Sequence, residues 1–259
     1  MAKAWKSPLR LYLTGRLAAE LGDKRFDERR LPGRQGRRAF AYLALERTRP
    51  VPIDELADAV WGTASPAGAW ETALSAIVSK LRASLRSVDA RCAVTTAAGC
   101  YQLVLPPDAW VDIEAAHRAL EEAESRARAG RFREAWGPAN VAGSIAARPF
   151  LAGADGDWIA RARQTLRETR VRALECLAGV ARANGEHPLA AQLAREVVDL
   201  EPFRETGWQE LMRAYAGGGN RAQALRAYAD CKKLLATELG APPSPETDAL
   251  ARALRRSGA

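Results

Sequence analysis

"ETALSAIVSKLRASLR", residues 71 to 86, carries two different stripes on one stretch of chain. At about 100° per residue, Leu74, Val78, Leu81 and Leu85 fall on one narrow line of a helix, with Ile77 at its margin. That spacing predicts a buried seam. Thr72, Ser75, Ser79, Arg82 and Arg86 fall on a second line roughly 120° around the same cylinder, with Lys80 further round. A plain solvated face tends to carry Glu and Lys. Short hydroxyl side chains followed by arginines instead permit close approach to a phosphate-lined groove and offer donors to bases and backbone. A solvated amphipathic helix accounts for the same two stripes, so the neighbouring segments have to decide between the readings.

In front of this stretch, "RQGRRAFAYLALE" (34 to 46) and "VPIDELADAVW" (51 to 61) space their apolar residues for two short helices, the second with Pro52 near its start. "GTASPAG" (62 to 68) reads as the loop between them and the opening stretch. Still earlier, "LRLYL" (9 to 13) and "RLAAEL" (16 to 21) are short apolar-rich runs that predict a small antiparallel sheet. Behind it, "CAVTT" and "YQLVL" flank "AAGC", where Gly99 supplies a turn conformation; residues 92 to 105 read as a β-hairpin. "PPDAW" (106 to 110) reads as a break that bars regular pairing and marks a domain boundary. Strands, two helices, a polar-striped third helix and a hairpin, in that order, make a winged helix-turn-helix, in which the third helix enters the major groove.

Charge follows the same division. The 259 residues carry a net +8, but residues 1 to 107 hold 17 Lys plus Arg against 10 Asp plus Glu, and residues 108 to 259 hold 22 against 21. Nearly all the excess lies in front, where a polyanion needs it, because basic side chains neutralise phosphates and release condensed counterions.

Beyond Trp110 the sequence is helix and punctuation. Shifting residues 171 to 204 by 34 superposes Leu174 on Trp208, Leu177 on Leu211, Ala178 on Met212, Ala181 on Tyr215, Ala190 on Ala224 and Val197 on Cys231. That is a tetratricopeptide period. A weaker unit precedes it around Gly130, a long helix is expected from about Asp157 to Ala183, and "PETDALARALRR" (245 to 256) reads as a capping helix. The fold class expected is therefore mainly α, a winged helix with small sheet and wing at residues 1–107, followed by a tetratricopeptide-like repeat domain at 108–259.

"GRQGRRAFAYLAL", "IDELADAVWG", "ALSAIVSKLRASL" and "TTAAGCYQL" resemble the OmpR-type winged helix, and "LEPFRETGWQELMRAYAGGGNRAQALRAYADCKKLLATELGAPPSPET" (200 to 247) resembles the bacterial transcriptional activator domain. Together they resemble the SARP family of antibiotic-regulatory activators, over nearly the whole chain. The resemblance implies a transcriptional activator that binds direct repeats in double-stranded DNA near promoters, as protomers arranged head to tail, and that contacts RNA polymerase. It also implies that Thr72, Ser75, Ser79, Lys80 and Arg82 face DNA, and Arg86 is added here as a phosphate contact. The wing departs from the family pattern, with Ala97, Ala98 and Gly99-Cys100-Tyr101 where a basic residue is usual. Arg91 at the hairpin base is the substitute expected, and Thr96 reaches a phosphate.

Other chemistry has little support. There is no G-x-x-x-x-G-K-[ST], G-x-S-x-G or H-E-x-x-H, and two histidines offer little general-base chemistry, so no catalysis and no cofactor are expected. Cys92, Cys100, Cys176 and Cys231 are too scattered for a metal or redox motif. No run approaches the roughly 18 apolar residues of a membrane span, and "MAKAWKSPLRLYLTG" lacks a secretory core, so the expected location is cytoplasmic, away from membranes. Trp136, Trp158, Trp208, Tyr215 and Tyr228 are expected to pack the repeats. Two alternatives stay open. One is a repeat scaffold without DNA binding, which leaves the basic front unexplained. The other is a regulator that also binds a small anionic effector, because Arg29, Arg30, Arg34, Arg37 and Arg38 gather near a helix start.

Overall fold

Leu9, Leu11 and Leu13 alternate with Arg10 and Tyr12, and all three leucines are buried, so this stretch runs as a strand with one face in the core. The computed structural model describes residues 8–62 and 68–256. Most of the loop read at 62 to 68, and the first seven residues, lie outside that range. β1 (Arg10–Tyr12) pairs antiparallel with β2 (Ala18–Leu21), and β2 with β3 (Lys24–Asp27), with Leu11 opposite Ala19 and Ala19 opposite Phe26. A single 3-10 turn at Glu28–Arg30 then leads into α1 (Gly33–Leu45).

Next come β4 (Val51–Pro52), α2 (Ile53–Trp61), α3 (Trp70–Val88) and the hairpin of β5 (Ala93–Ala97) and β6 (Cys100–Val104). Leu74, Val78, Leu81 and Leu85 of α3 are buried, as their spacing requires. Phe26 and Phe40 meet edge to face at 5.5 Å between the first sheet and α1. A second sheet runs β4-β6-β5, with Val51 opposite Tyr101 and Thr96 opposite Tyr101. Ala98 and Gly99 turn the hairpin with φ of 47° and 71°, the pair of positive values that a tight two-residue connection needs.

The segment after the hairpin departs from the reading of "PPDAW" as barring all pairing. Trp110 and Val111 form β7, parallel to β1, which completes a sheet of order β3-β2-β1-β7. The prolines leave 106–109 unpaired, but they do not reach Trp110. Asp112, the next residue, is fully buried and starts α4 (Asp112–Arg128). Its carboxylate accepts from the backbone N–H groups of Leu13 and Thr14 at 3.0 and 2.9 Å, from the Thr14 hydroxyl at 2.8 Å, and from its neighbour Ile113. A buried carboxylate is tolerated only when its lone pairs are answered in this way.

The chain divides into two compact units, the first holding residues up to Ala115 together with Arg148–Leu166, the second holding Ala116–Ala147 together with Arg167 onward. In the first unit, the Trp158 indole donates to the Ala59 carbonyl at 2.9 Å and meets Tyr42 and Phe150 edge to face. Trp158 therefore packs against the winged helix and does not fill the repeats as expected. Its reason is local: Arg163 gathers the carbonyls of Phe150, Leu151 and Ala154, which fixes the bend ahead of the tryptophan.

The second unit contains α5 (Phe132–Ala146), the later part of α6 (Asp157–Ala183), α7 (His187–Leu200), α8 (Glu205–Gly217), α9 (Arg221–Leu239) and α10 (Pro245–Arg256). The residues superposed by the 34-residue shift are its core: Leu174, Leu177, Ala178, Ala181, Ala190, Val197, Trp208, Leu211, Met212, Ala224 and Cys231 are buried together. Gly207 lets α8 approach α7 closely, since a Cβ there would sit 2.7 Å from the Val197 side chain.

Candidate nucleic-acid interface

α3 presents its polar stripe to solvent. Thr72, Ser75, Ser79, Lys80 and Arg86 are exposed, and Arg82 is half-buried. Among the described residues, none of the five exposed side chains has an intramolecular hydrogen bond or ion pair. The helix carries one carboxylate, Glu71 in its first turn, against Lys80, Arg82 and Arg86. The surface is therefore basic, rich in donors and unengaged. A leucine seam holds it there, because rotation of α3 about its axis would expose Leu74 and Leu81.

Arg82 differs from its neighbours. Its Nε donates to the Val94 carbonyl at 2.7 Å and an Nη to the Thr96 hydroxyl at 2.6 Å. It thus ties the middle of α3 to strand β5 of the hairpin and keeps three of its five N–H donors for other partners. Thr96 is exposed, with its hydroxyl oxygen already accepting from Arg82. Arg91, at the base of the hairpin, is more than half exposed but charge-compensated. It forms a bidentate pair with Asp89, closest contact 2.8 Å, and a longer one with Asp108 at 3.4 Å. The hydrogen bonds from Arg91 hold the Asp89 carboxyl below the usual carboxylate range. A phosphate contact by Arg91 competes with those two carboxylates.

The second basic group divides as well. Arg29, Arg30 and Arg34 are exposed, Arg37 is half-buried with Glu28 at 3.7 Å, and Arg38 is buried. Arg38 donates through Nε to the Ala59 carbonyl at 3.0 Å.

The bacterial transcriptional activator domain matches residues 111–255, more than half of the chain. The chain belongs to the bacterial transcriptional activator domain family. It is similar to the regulatory protein AfsR of Streptomyces griseus, 29% identical over 229 residues, which cover 86% of this chain and 22% of AfsR. It is also similar to the transcriptional regulatory protein EmbR of Mycobacterium tuberculosis, 31% identical over 83% of this chain and 55% of EmbR. The regulatory protein DnrI of Streptomyces peucetius is 29% identical over 86% of this chain and 85% of its own length. The chain thus spans about a fifth of AfsR and about half of EmbR. A solved structure of M. tuberculosis EmbR in complex with a low-affinity phosphopeptide superposes with a TM-score of 0.87 at 26% identity, over 96% of this chain and 65% of that one.

With a winged helix ahead of the activator domain, this is a SARP-class transcriptional regulator. Sequence reading of this SARP-class chain missed the partners of its site residues. That Arg82 reaches the hairpin, and that Arg91 meets Asp89 and Asp108, depends on side chains brought together by the fold. Asp112 carried no motif at all, and the two-residue strand in front of it is too short to mark it in the sequence.

Proposed function

We propose that this regulator binds double-stranded DNA through α3 and the β5–β6 wing, and that residues 1–107 read the operator while residues 108–259 position protomers and contact RNA polymerase. The observation that carries the reading is the unengaged stripe of Thr72, Ser75, Ser79, Lys80 and Arg86 on the exposed side of α3. In a major groove, the hydroxyls face base edges and sugar-phosphate, Lys80 and Arg86 neutralise phosphates, and Arg82 couples helix to wing while offering its remaining donors. Thr96 and Arg91 lie on the flank and add backbone contacts, Arg91 only after exchanging a carboxylate for a phosphate.

The stripe has few charges, which implies modest affinity for one site and reliance on adjacent direct repeats occupied head to tail, where a second linked contact compensates for a weak first one. The regulator works by recruitment in the cytoplasm, without catalysis or cofactor. Selection of bound duplexes from a random library, followed by footprinting, tests this. Recovery of paired direct repeats about one helical turn apart is the expected outcome. Recovery of no enriched sequence contradicts it.

A further inference from the structure

Within the first unit, the turn after β1, the start of α1 and the loop at 151–154 enclose a cavity of about 210 Å³. Arg16, Arg34, Arg37 and Arg38 line it, with Glu28 as the one carboxylate in the wall. Arg38 is nine-tenths buried, and only its Nε has a partner, the Ala59 carbonyl; among the described residues neither of its terminal nitrogens has a hydrogen-bond acceptor. Burial, and then the charge of Arg34, push the Arg38 guanidinium below its usual range, while Asp155 opposes them. Four like charges around one cavity repel one another, and Glu28 and Glu20 offset them only through ion pairs to Arg37 and Arg16 at 3.7 and 3.4 Å.

The helix that opens here lacks its ordinary cap. Pro32 stands at the N-cap with no side-chain acceptor, the first turn holds no acidic residue, and Arg34 occupies it instead. The backbone N–H groups of Arg34 and Gln35 have no acceptor among the described residues. Basic side chains at a helix start are unfavourable unless an anion joins them, and such a start attracts anions.

We propose that this cavity is a binding site for a small phosphorylated molecule, held by Arg16, Arg34, Arg37 and Arg38. Guanidinium forks match phosphate oxygens two at a time. The space admits several waters, hence a group the size of a diphosphate. A duplex phosphate, flanked by its sugars, does not reach a nine-tenths-buried arginine. Arg29 and Arg30, in the same basic run, do not line the cavity. A bound anion would join three segments remote in sequence, so the site is placed to respond to a metabolite. It stands whether or not α3 binds DNA.

Calorimetric titration of the full chain with inorganic pyrophosphate at fixed ionic strength, with inorganic phosphate alongside, tests the proposal. Saturable one-to-one binding of pyrophosphate is expected. Arg34→Gln with Arg37→Gln should weaken it by about tenfold or more, since charged hydrogen bonds are lost, while Arg29→Gln with Arg30→Gln stays within about twofold. Should the first pair unfold the protein, Arg16→Gln, on an exposed turn, gives the same readout with a smaller loss. No saturable binding, equal losses in both pairs, or unchanged affinity in the cavity variants overturns the proposal. So does displacement of pyrophosphate by a random-sequence duplex, which would make the arginines a DNA-backbone contact.

Discussion

The outer face of α3 and the surface of the second unit both expose arginines, but they treat them in opposite ways. In the second unit many of the guanidinium groups that lie between helices are answered: Arg172 by Glu124 at 2.7 Å, Arg182 by Glu210 at 2.5 Å, and Arg204 by Glu168 and Glu175 at 3.0 and 2.9 Å. On α3, Arg86 and Lys80 have no such partner among the described residues, and the hydroxyls between them are equally unengaged. One surface uses its charge to hold helices together; the other keeps it for something outside the chain. Substitutions that remove engaged charge should therefore damage the fold, and those that remove unengaged charge should damage binding alone.

The largest effect is expected at Asp112, where several donors converge on one buried carboxylate. Asp112→Ala leaves the Leu13 and Thr14 N–H groups without acceptors and should cost about 3 kcal/mol or more of stability, read by denaturant unfolding. Lys80→Glu combined with Arg86→Glu should leave the unfolding midpoint almost unchanged and lower affinity for a selected duplex roughly a hundredfold, because two phosphate attractions become repulsions. Arg204→Ala falls between these classes: it strands Glu175 and Glu168 and should cost about 1–2 kcal/mol of stability with no change in DNA retention.

The smallest effect is at high pH. Burial, and then the hydrogen bond to Glu55, raise the Tyr42 hydroxyl to about 12. Its folded value lies above its unfolded one, so its contribution is complete below the unfolded value and disappears as pH climbs through about 12. Thermal melts of Tyr42→Phe should accordingly lose less stability than the unaltered protein over that window.

Much of this was legible in the sequence, because the relevant signals are periodic. The leucine seam of α3, the 34-residue repeat and the hairpin around Gly99 each extend over enough residues for burial to impose a pattern. β7 and β4 have two residues each, too few for any alternation, and β3 is the polar-looking "KRFD" with only Phe26 turned inward. The packing of Trp158 on Tyr42 and Ala59 joins residues about a hundred positions apart, and no local spacing encodes it. The same holds for the basic cavity. Its run at 29 to 38 was visible, but burial alone separates Arg38 from Arg29, and Arg16 enters from the turn between β1 and β2.

The most direct measurement is the salt dependence of duplex binding for the unaltered chain beside Lys80→Ala with Arg86→Ala. If α3 lies against DNA, the logarithm of the binding constant falls steeply with the logarithm of salt, and the double variant flattens that slope by about two as two phosphate contacts disappear. Identical slopes and affinities for the two proteins would show that the exposed side of α3 does not touch the duplex.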